Sequence, residues 1–216
     1  MKLYAHPFSS YCQKVLIALY ENATPFDLRL LEPGNEADEE HAALWPLKRM
    51  PLLVDGDRAV MEASSIVEYL DLYHRGAVRF VPEDPRAALD VRLMDRVFDN
   101  YVMTPMQKMV LDHIRTPHER DPQGVAEART SLERAYAWLD ASIEQHEWIV
   151  GDRFTLADCA AAPALLYADW VHPIGAAFAN LRAYRQRLLA RPSFARAVDE
   201  ARPYRALFPP GAPDRD

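Results

Sequence analysis

The chain has only two cysteines in 216 residues, Cys12 and Cys159. That is too few for a secreted disulfide scaffold, and no Cys and His cluster together as a zinc site requires. Long hydrophobic runs are also missing: no segment reaches the roughly 18 continuous apolar residues of a membrane helix. The start, M-K-L-Y-A-H-P-F-S-S, places His6 and Pro7 where a secretory signal would keep an unbroken apolar stretch. Cations are in the minority, with 25 Lys and Arg against 32 Asp and Glu and a net charge of −7. Nucleic-acid binding relies on clustered Lys and Arg, so this balance points to a small-molecule partner. No internal repeat is visible. The expected setting is a reducing cytoplasm.

The chain is 50% hydrophobic and 26% charged, the balance of a globular protein long enough to bury a proper core. Lys2 to Ala5 is β-prone, and Ser9 or Ser10 caps a helix running through Y-C-Q-K-V-L-I-A-L-Y-E to Asn22. Phe26 to Leu31 alternates like a strand, and an acidic stretch through Glu40 comes next as helix or loop. Met50 to Met61 reads as a hairpin turning at D-G, and a helix opens at Glu62. The predicted organisation is an α/β domain over 1–76, a Pro- and Gly-bearing linker over 77–85 and an all-helical domain over 86–216. In the second domain, Arg86 to Arg115 reads as one long helix that Pro105 must bend or interrupt. Further helices are expected at Gly124 to Glu147, from Phe154 with a Thr155–Asp158 capping box and a bend at Pro163, at Leu181 to Ala190 and at Ser193 to Ala201. The tail P-P-G-A-P-D-R-D is expected to fray.

Four places can carry chemistry. Ser9 and Ser10 stand where a helix amino terminus exposes unpaired N–H groups and about half a positive charge, a setting that stabilises anions such as thiolates. A free thiol has a pKa of about 8.5, and lowering it by two units takes about 2.7 kcal/mol of preferential stabilisation of the anion. A hydroxyl and adjacent amides can supply that, or the serines simply cap the helix; the two roles are compatible. Cys12 lacks the leading cysteine of a C-x-x-C pair and reads as a small buried apolar residue. At Met50–Pro51 a cis bond would turn the Met50 N–H and C=O outward to pair with an extended peptide. Glu62-Ala63-Ser64-Ser65 is ordinary capping chemistry, or a zwitterion site with Glu62 taking an amine and the Ser64 hydroxyl a carboxylate. Tyr101, Met103, Met106, Met109, Tyr167 and Trp170 lie at helical spacing as core, or as the wall of an adaptable apolar pocket. His113 has no evident partner.

The order of these segments resembles the glutathione transferase family over nearly the whole chain. Y-A-H-P-F-S-S-Y-C-Q-K-V-L-I-A-L is similar to the first strand and helix of serine-type, theta- and zeta-like classes and many bacterial members. W-P-L-K-R-M-P-L-L resembles the family's N-P-x-x-x-V-P segment, with Trp45 in place of Asn. E-A-S-S-I-V-E-Y-L-D resembles E/Q-S-x-x-I-x-x-Y-L, with Ala63 at the serine position. F-T-L-A-D and R-P-S-F-A-R-A resemble the family's helical domain. The resemblance implies a thioredoxin-like domain followed by the all-helical glutathione transferase domain. It makes Ser9 the catalytic hydroxyl, because Ala5 stands where tyrosine-type classes keep their tyrosine. It also implies that Ser10, Lys48, Arg49, Met50, Pro51, Glu62, Ala63 and Ser64 bind glutathione. Tyr11, Tyr101, Met103, Met106, Tyr167 and Trp170 would then form the second-substrate pocket.

The expected activity is a cytoplasmic, homodimeric detoxification transferase. It would add the thiolate of glutathione, its co-substrate, to an apolar electrophile, with no metal. A glutathione-dependent reductase or isomerase, or a non-catalytic binding protein on the same fold, are the alternatives, and Ala63 favours the last.

Overall fold

The computed structural model describes every residue from Met1 to Asp216. All four strands lie in the first third of the chain: β1 (Lys2–Ala5), β2 (Asp27–Leu30), β3 (Leu52–Asp55) and β4 (Arg58–Met61). They form one sheet in the order β2-β1-β3-β4, with β1 parallel to β2 and antiparallel to β3. Three helices accompany them, α1 (Ser10–Glu21), α2 (Glu36–Leu44) and α3 (Ala63–Tyr73). This is the thioredoxin-like arrangement the sequence predicts. The hairpin joins β3 to β4 through Gly56, whose φ of 61° suits the turn. The acidic stretch is helical because Asn35 caps it and Glu36, Asp38 and Glu39 face its positive end.

Six further α-helices follow: α4 (Pro85–Val97), α5 (Thr104–His113), α6 (Pro122–Ile143), α7 (Leu156–Val171), α8 (Ala179–Ala190) and α9 (Pro192–Ala201). Pro105 does interrupt the long helix, but the disturbance lies on its amino-terminal side. Residues Phe98–Met103 form a π-helical segment, and the Thr104 N–H donates to the Asp99 carbonyl five residues back. Pro105 has no N–H to continue the α-ladder, and a wider turn re-pairs the neighbouring groups. α6 starts two residues earlier than expected, with Asp121 as cap and Pro122 at the first helical position, and stops at Ile143. α7 carries the Thr155–Asp158 capping box and runs unbroken past Pro163.

Between α3 and α4 the chain is tied down rather than free. Buried Asp71 accepts from the Phe80 amide (2.8 Å) and from Arg79, and the Asn22 side chain pairs with both the N–H and C=O of Val78. The tail is likewise docked, contrary to the expected fraying. Phe208 is buried, Arg215 pairs with Asp169, and Asp216 pairs with Arg202 and with Arg205 (2.9 Å). An aromatic anchor followed by ion pairs supplies the fixed contacts that a free terminus lacks.

α1 and α7 are the two central helices. α1 packs on α3, α7 and α9, and for that reason is apolar around most of its circumference. In α7, Asp158 is fully buried and accepts from the Ile149 amide (3.1 Å), the Thr155 amide (2.8 Å) and the Tyr184 hydroxyl (2.6 Å). Removing it leaves buried donors unpaired. Asp158→Ala is therefore expected to lose about 3 kcal/mol or more of unfolding free energy, read as a lower urea midpoint, and Asp158→Asn to lose less.

Candidate active site

β1 hands the chain through Pro7 and Phe8 to Ser9, which caps α1. The Ser9 Oγ accepts from the Cys12 amide at 3.5 Å, a long contact that leaves most of the hydroxyl's capacity for another partner. Two cavities meet here. The larger, about 600 Å³, lies between Ser9, the Lys48–Pro51 segment, the start of α3 and the α4–π face. A second cavity of about 370 Å³ opens on the other side of Ser9, against α5, Tyr167 and the tail. Both are in the size range of small-molecule sites. Ser9, Tyr11, Arg49 and Gln107 line both.

The larger cavity is charged. Lys48, Arg49 and Arg96 supply cations, and Glu62 and Asp99 supply carboxylates. Its floor is the Met50–Pro51 peptide, which is cis, and the Met50 N–H and C=O make no backbone hydrogen bond within the chain. The His41 imidazole holds the preceding Arg49 carbonyl at 3.1 Å. Glu62, the residue before α3, has φ 67° and forms no side-chain cap, which leaves the first amides of α3 for an anion. Lys48 also has positive φ, 50°. Non-glycine residues in such conformations cost about 1–3 kcal/mol each and gather at ligand sites. Two of the three in this chain line the one cavity.

Several predicted residues thus converge. Ser9, Lys48, Arg49, Met50, Pro51, Glu62 and Ala63 all face the larger cavity. Ser10 lines the second cavity instead. Ser64 faces neither and is a correction to the zwitterion reading. Its buried hydroxyl accepts from Lys14 Nζ (2.9 Å) and donates to Asp95 Oδ2 (2.9 Å). Lys14 itself is only 1% exposed, with Asp95 at 2.5 Å and Asp99 at 3.0 Å. The interior ammonium claims the hydroxyl because an unpaired buried charge is far costlier than a satisfied one.

The smaller cavity is mostly apolar, with Phe8, Met106, Val110, Leu207 and Phe208 in its wall. Of the six side chains predicted for it, Tyr11, Met106 and Tyr167 are there. Tyr101, Met103 and Trp170 are not. The π segment changes the register ahead of α5, leaving Tyr101 62% exposed and Met103 2% exposed in the core. Trp170 stands behind the wall, edge-on to Tyr167 (5.1 Å) and Phe208 (5.2 Å). Sequence reasoning missed Arg96, Asp99, Asn100 and Gln107, although Asp99 and Asn100 stand three and four residues after Arg96, with Gln107 seven further on, and that helical spacing was a usable signal. It also missed the tail, where a lone large aromatic among prolines was the clue to docking.

The titration states sharpen the site. Burial, then the nearby Asp99, Glu62 and Asp95 carboxylates, push the Tyr11 phenol up to about 12, and it stays protonated as a donor. Burial raises the Asp99 carboxyl above its usual range, with Lys14 pulling the other way. Burial also pushes the Cys12 thiol up to about 11, against the Ser9 hydrogen bond, which makes it a poor nucleophile.

Comparison with known proteins places the fold in a family. The glutathione S-transferase N-terminal domain family matches residues 3–77, and the glutathione S-transferase C-terminal domain family matches residues 98–192. The chain is 28% identical to the stringent starvation protein A homolog of Coxiella burnetii, over 93% of this chain and 92% of that one. It is also 28% identical to the glutathione S-transferase GstB of Escherichia coli, over 88% and 93%. A glutathione S-transferase of Methylobacterium radiotolerans, solved with glutathione sulfonate, superposes with a TM-score of 0.78 at 31% identity, covering 91% of this chain and 93% of that one. With both halves of the chain matched in order, and the strand-to-helix junction, cis-proline loop and capping box in place, the chain belongs to the glutathione S-transferase family.

Proposed function

We propose that this chain is a glutathione transferase that presents the thiolate of glutathione at Ser9 to an apolar electrophile. The observation that carries this reading is the position of Ser9, shared by a charged cavity and an apolar one. The tripeptide would lie along the charged cavity as an added strand, its cysteinyl backbone pairing with the free N–H and C=O of Met50. Lys48 and Arg49 would take the glycyl carboxylate. Glu62 and Asp99 would attract the γ-glutamyl ammonium, and the first amides of α3 would take its carboxylate. The relative solved with glutathione sulfonate supports this occupant.

The thiol would then sit at the mouth of α1, where the Ser9 hydroxyl donates to it and the helix terminus favours its anion. The sulfur attacks carbon in the adjoining cavity, so catalysis consists of a lowered pKa and enforced proximity. Ser9→Ala is expected to lower turnover with a test electrophile about tenfold or more and to raise the pKa of the bound thiol, read by ultraviolet absorbance of the thiolate. An unchanged pKa would remove Ser9 from the mechanism.

A glutathione-dependent reductase using the protein's own thiol is disfavoured by burial, since Cys12 and Cys159 are both fully enclosed. In the native protein neither thiol should react with a disulfide reagent until denaturant is added. Cys12→Ala should retain activity within about twofold, as expected for a side chain outside the reaction.

One observation favours a second reading, a binding protein without transferase activity. With Ala63 at one position and the Ser64 hydroxyl committed to Lys14, neither offers a hydroxyl to the γ-glutamyl carboxylate. Calorimetry decides, because no detectable glutathione binding at millimolar concentration would leave only that reading.

A homodimer in the cytoplasm completes the proposal. The Glu68–Arg92 pair (2.7 Å) joins α3 to α4 on the outer face, and exposed Leu72, Leu89 and Leu93 lie within a turn of it. Exposed leucines beside an inter-helix ion pair suit a subunit interface. Leu89→Arg with Leu93→Arg should shift the protein from dimer to monomer in sedimentation velocity.

A further inference from the structure

The last 35 residues reverse the charge of the rest. From Arg182 onward there are eight arginines and four acids, in a chain whose net charge is −7. Three of those arginines meet in one place, a cavity of about 540 Å³ between the end of α7, the face of α8 and the docked tail. Arg182, Arg185 and Arg215 line it, together with Asp169 and Asp216.

The acceptors present are shared unevenly among these cations: Arg215 pairs with both the carboxylate and the carbonyl of Asp169, Arg185 has only a share of that carboxylate, and Arg182 has no partner. Asp169 Oδ1 is occupied by the Ile174 amide at 2.8 Å, and Oδ2 alone faces both Arg185, at 3.3 Å, and Arg215. Asp216 is held by Arg202 and Arg205. Arg182 is exposed and unpaired. Arg185 is only 6% exposed, its Nε donates weakly to the Leu165 carbonyl at 3.4 Å, and its buried Nη2, although 3.3 Å from Asp169 Oδ2, is not aligned to donate a hydrogen bond to it. A guanidinium so deeply buried with an unused donor is costly unless a further acceptor completes it. Ile174 is the only large apolar side chain in the lining, so the cavity does not suit an aromatic or aliphatic guest.

We propose that this cavity binds the phosphate groups of a small phosphorylated molecule, at a site separate from the two cavities at Ser9. A phosphate group carries about −1.5 to −2 charges at neutral pH and three strong acceptors, and guanidinium forks match it bidentately. A single carboxylate would satisfy one fork and leave the others. The volume exceeds one phosphate, so the remainder of the molecule fits in the same recess.

The test is calorimetry on the full chain at low salt with pyrophosphate, and with citrate as the carboxylate counterpart. Saturable one-to-one pyrophosphate binding is expected, at least about tenfold tighter than citrate and unchanged by saturating glutathione. Arg182→Ala should weaken it about tenfold or more, with Arg182→Lys in between, while transferase activity is unaltered. Because Arg182 is exposed, circular dichroism of both variants should match the parent. Absence of saturable binding, citrate binding equally well, displacement by glutathione, or an unaltered isotherm in Arg182→Ala would each overturn the proposal.

Discussion

One ammonium group, Lys14 Nζ, sits in the interior between three helices and determines much of what surrounds it. It reaches Asp95 on α4, Asp99 in the π segment and the Ser64 hydroxyl on α3, so it ties the first helix to both halves of the chain. A buried cation tolerates few alternative arrangements of its partners, because each lost contact leaves charge uncompensated in a poor dielectric. Its position fixes the angle at which α3 presents Glu62 and its first amides. It also directs one edge of Asp99 at the cavity, with Arg96 further out at 4.0 Å. The cost falls on Ser64, whose hydroxyl is held inside.

Much of the fold was legible because local signals and burial agreed. The capping box at Thr155 and Asp158 marks a helix that the core needs, and the apolar run from Val15 to Leu19 marks one enclosed by its neighbours. The hydroxyl of Ser9 and the Met50–Pro51 bond were readable as candidates, since cap chemistry and X-Pro geometry are properties of one or two residues. Ser64 was not. Which way a serine at a helix start points depends on a lysine fifty positions away, and no spacing rule reports that. The same limit explains Tyr101 and Met103. Helical periodicity assumes one register, and the π segment ahead of Pro105 changes it within a single turn.

The docked tail shows how a sequence rich in proline and glycine can be ordered by a few strong contacts. Phe208 fills a gap beside Tyr167 and Trp170, and the ion pairs of Arg215 and Asp216 pin the extreme carboxyl end. Part of the wall of the apolar cavity, Leu207, Phe208 and Pro209, thus comes from the end of the chain, far in sequence from Ser9. The charged cavity draws on the first hundred or so residues. Outside their shared boundary, the walls of the two cavities can therefore diverge independently.

The shared boundary at Ser9, Tyr11, Arg49 and Gln107 has a kinetic corollary. In the proposed reaction, bonding sulfur to carbon would turn two guests into one body anchored in both chambers, and departure would require both grips to loosen together. Such a conjugate would be held more tightly than either precursor. Under the proposed reaction, egress would be the step that a snugger fit of the oily half slows.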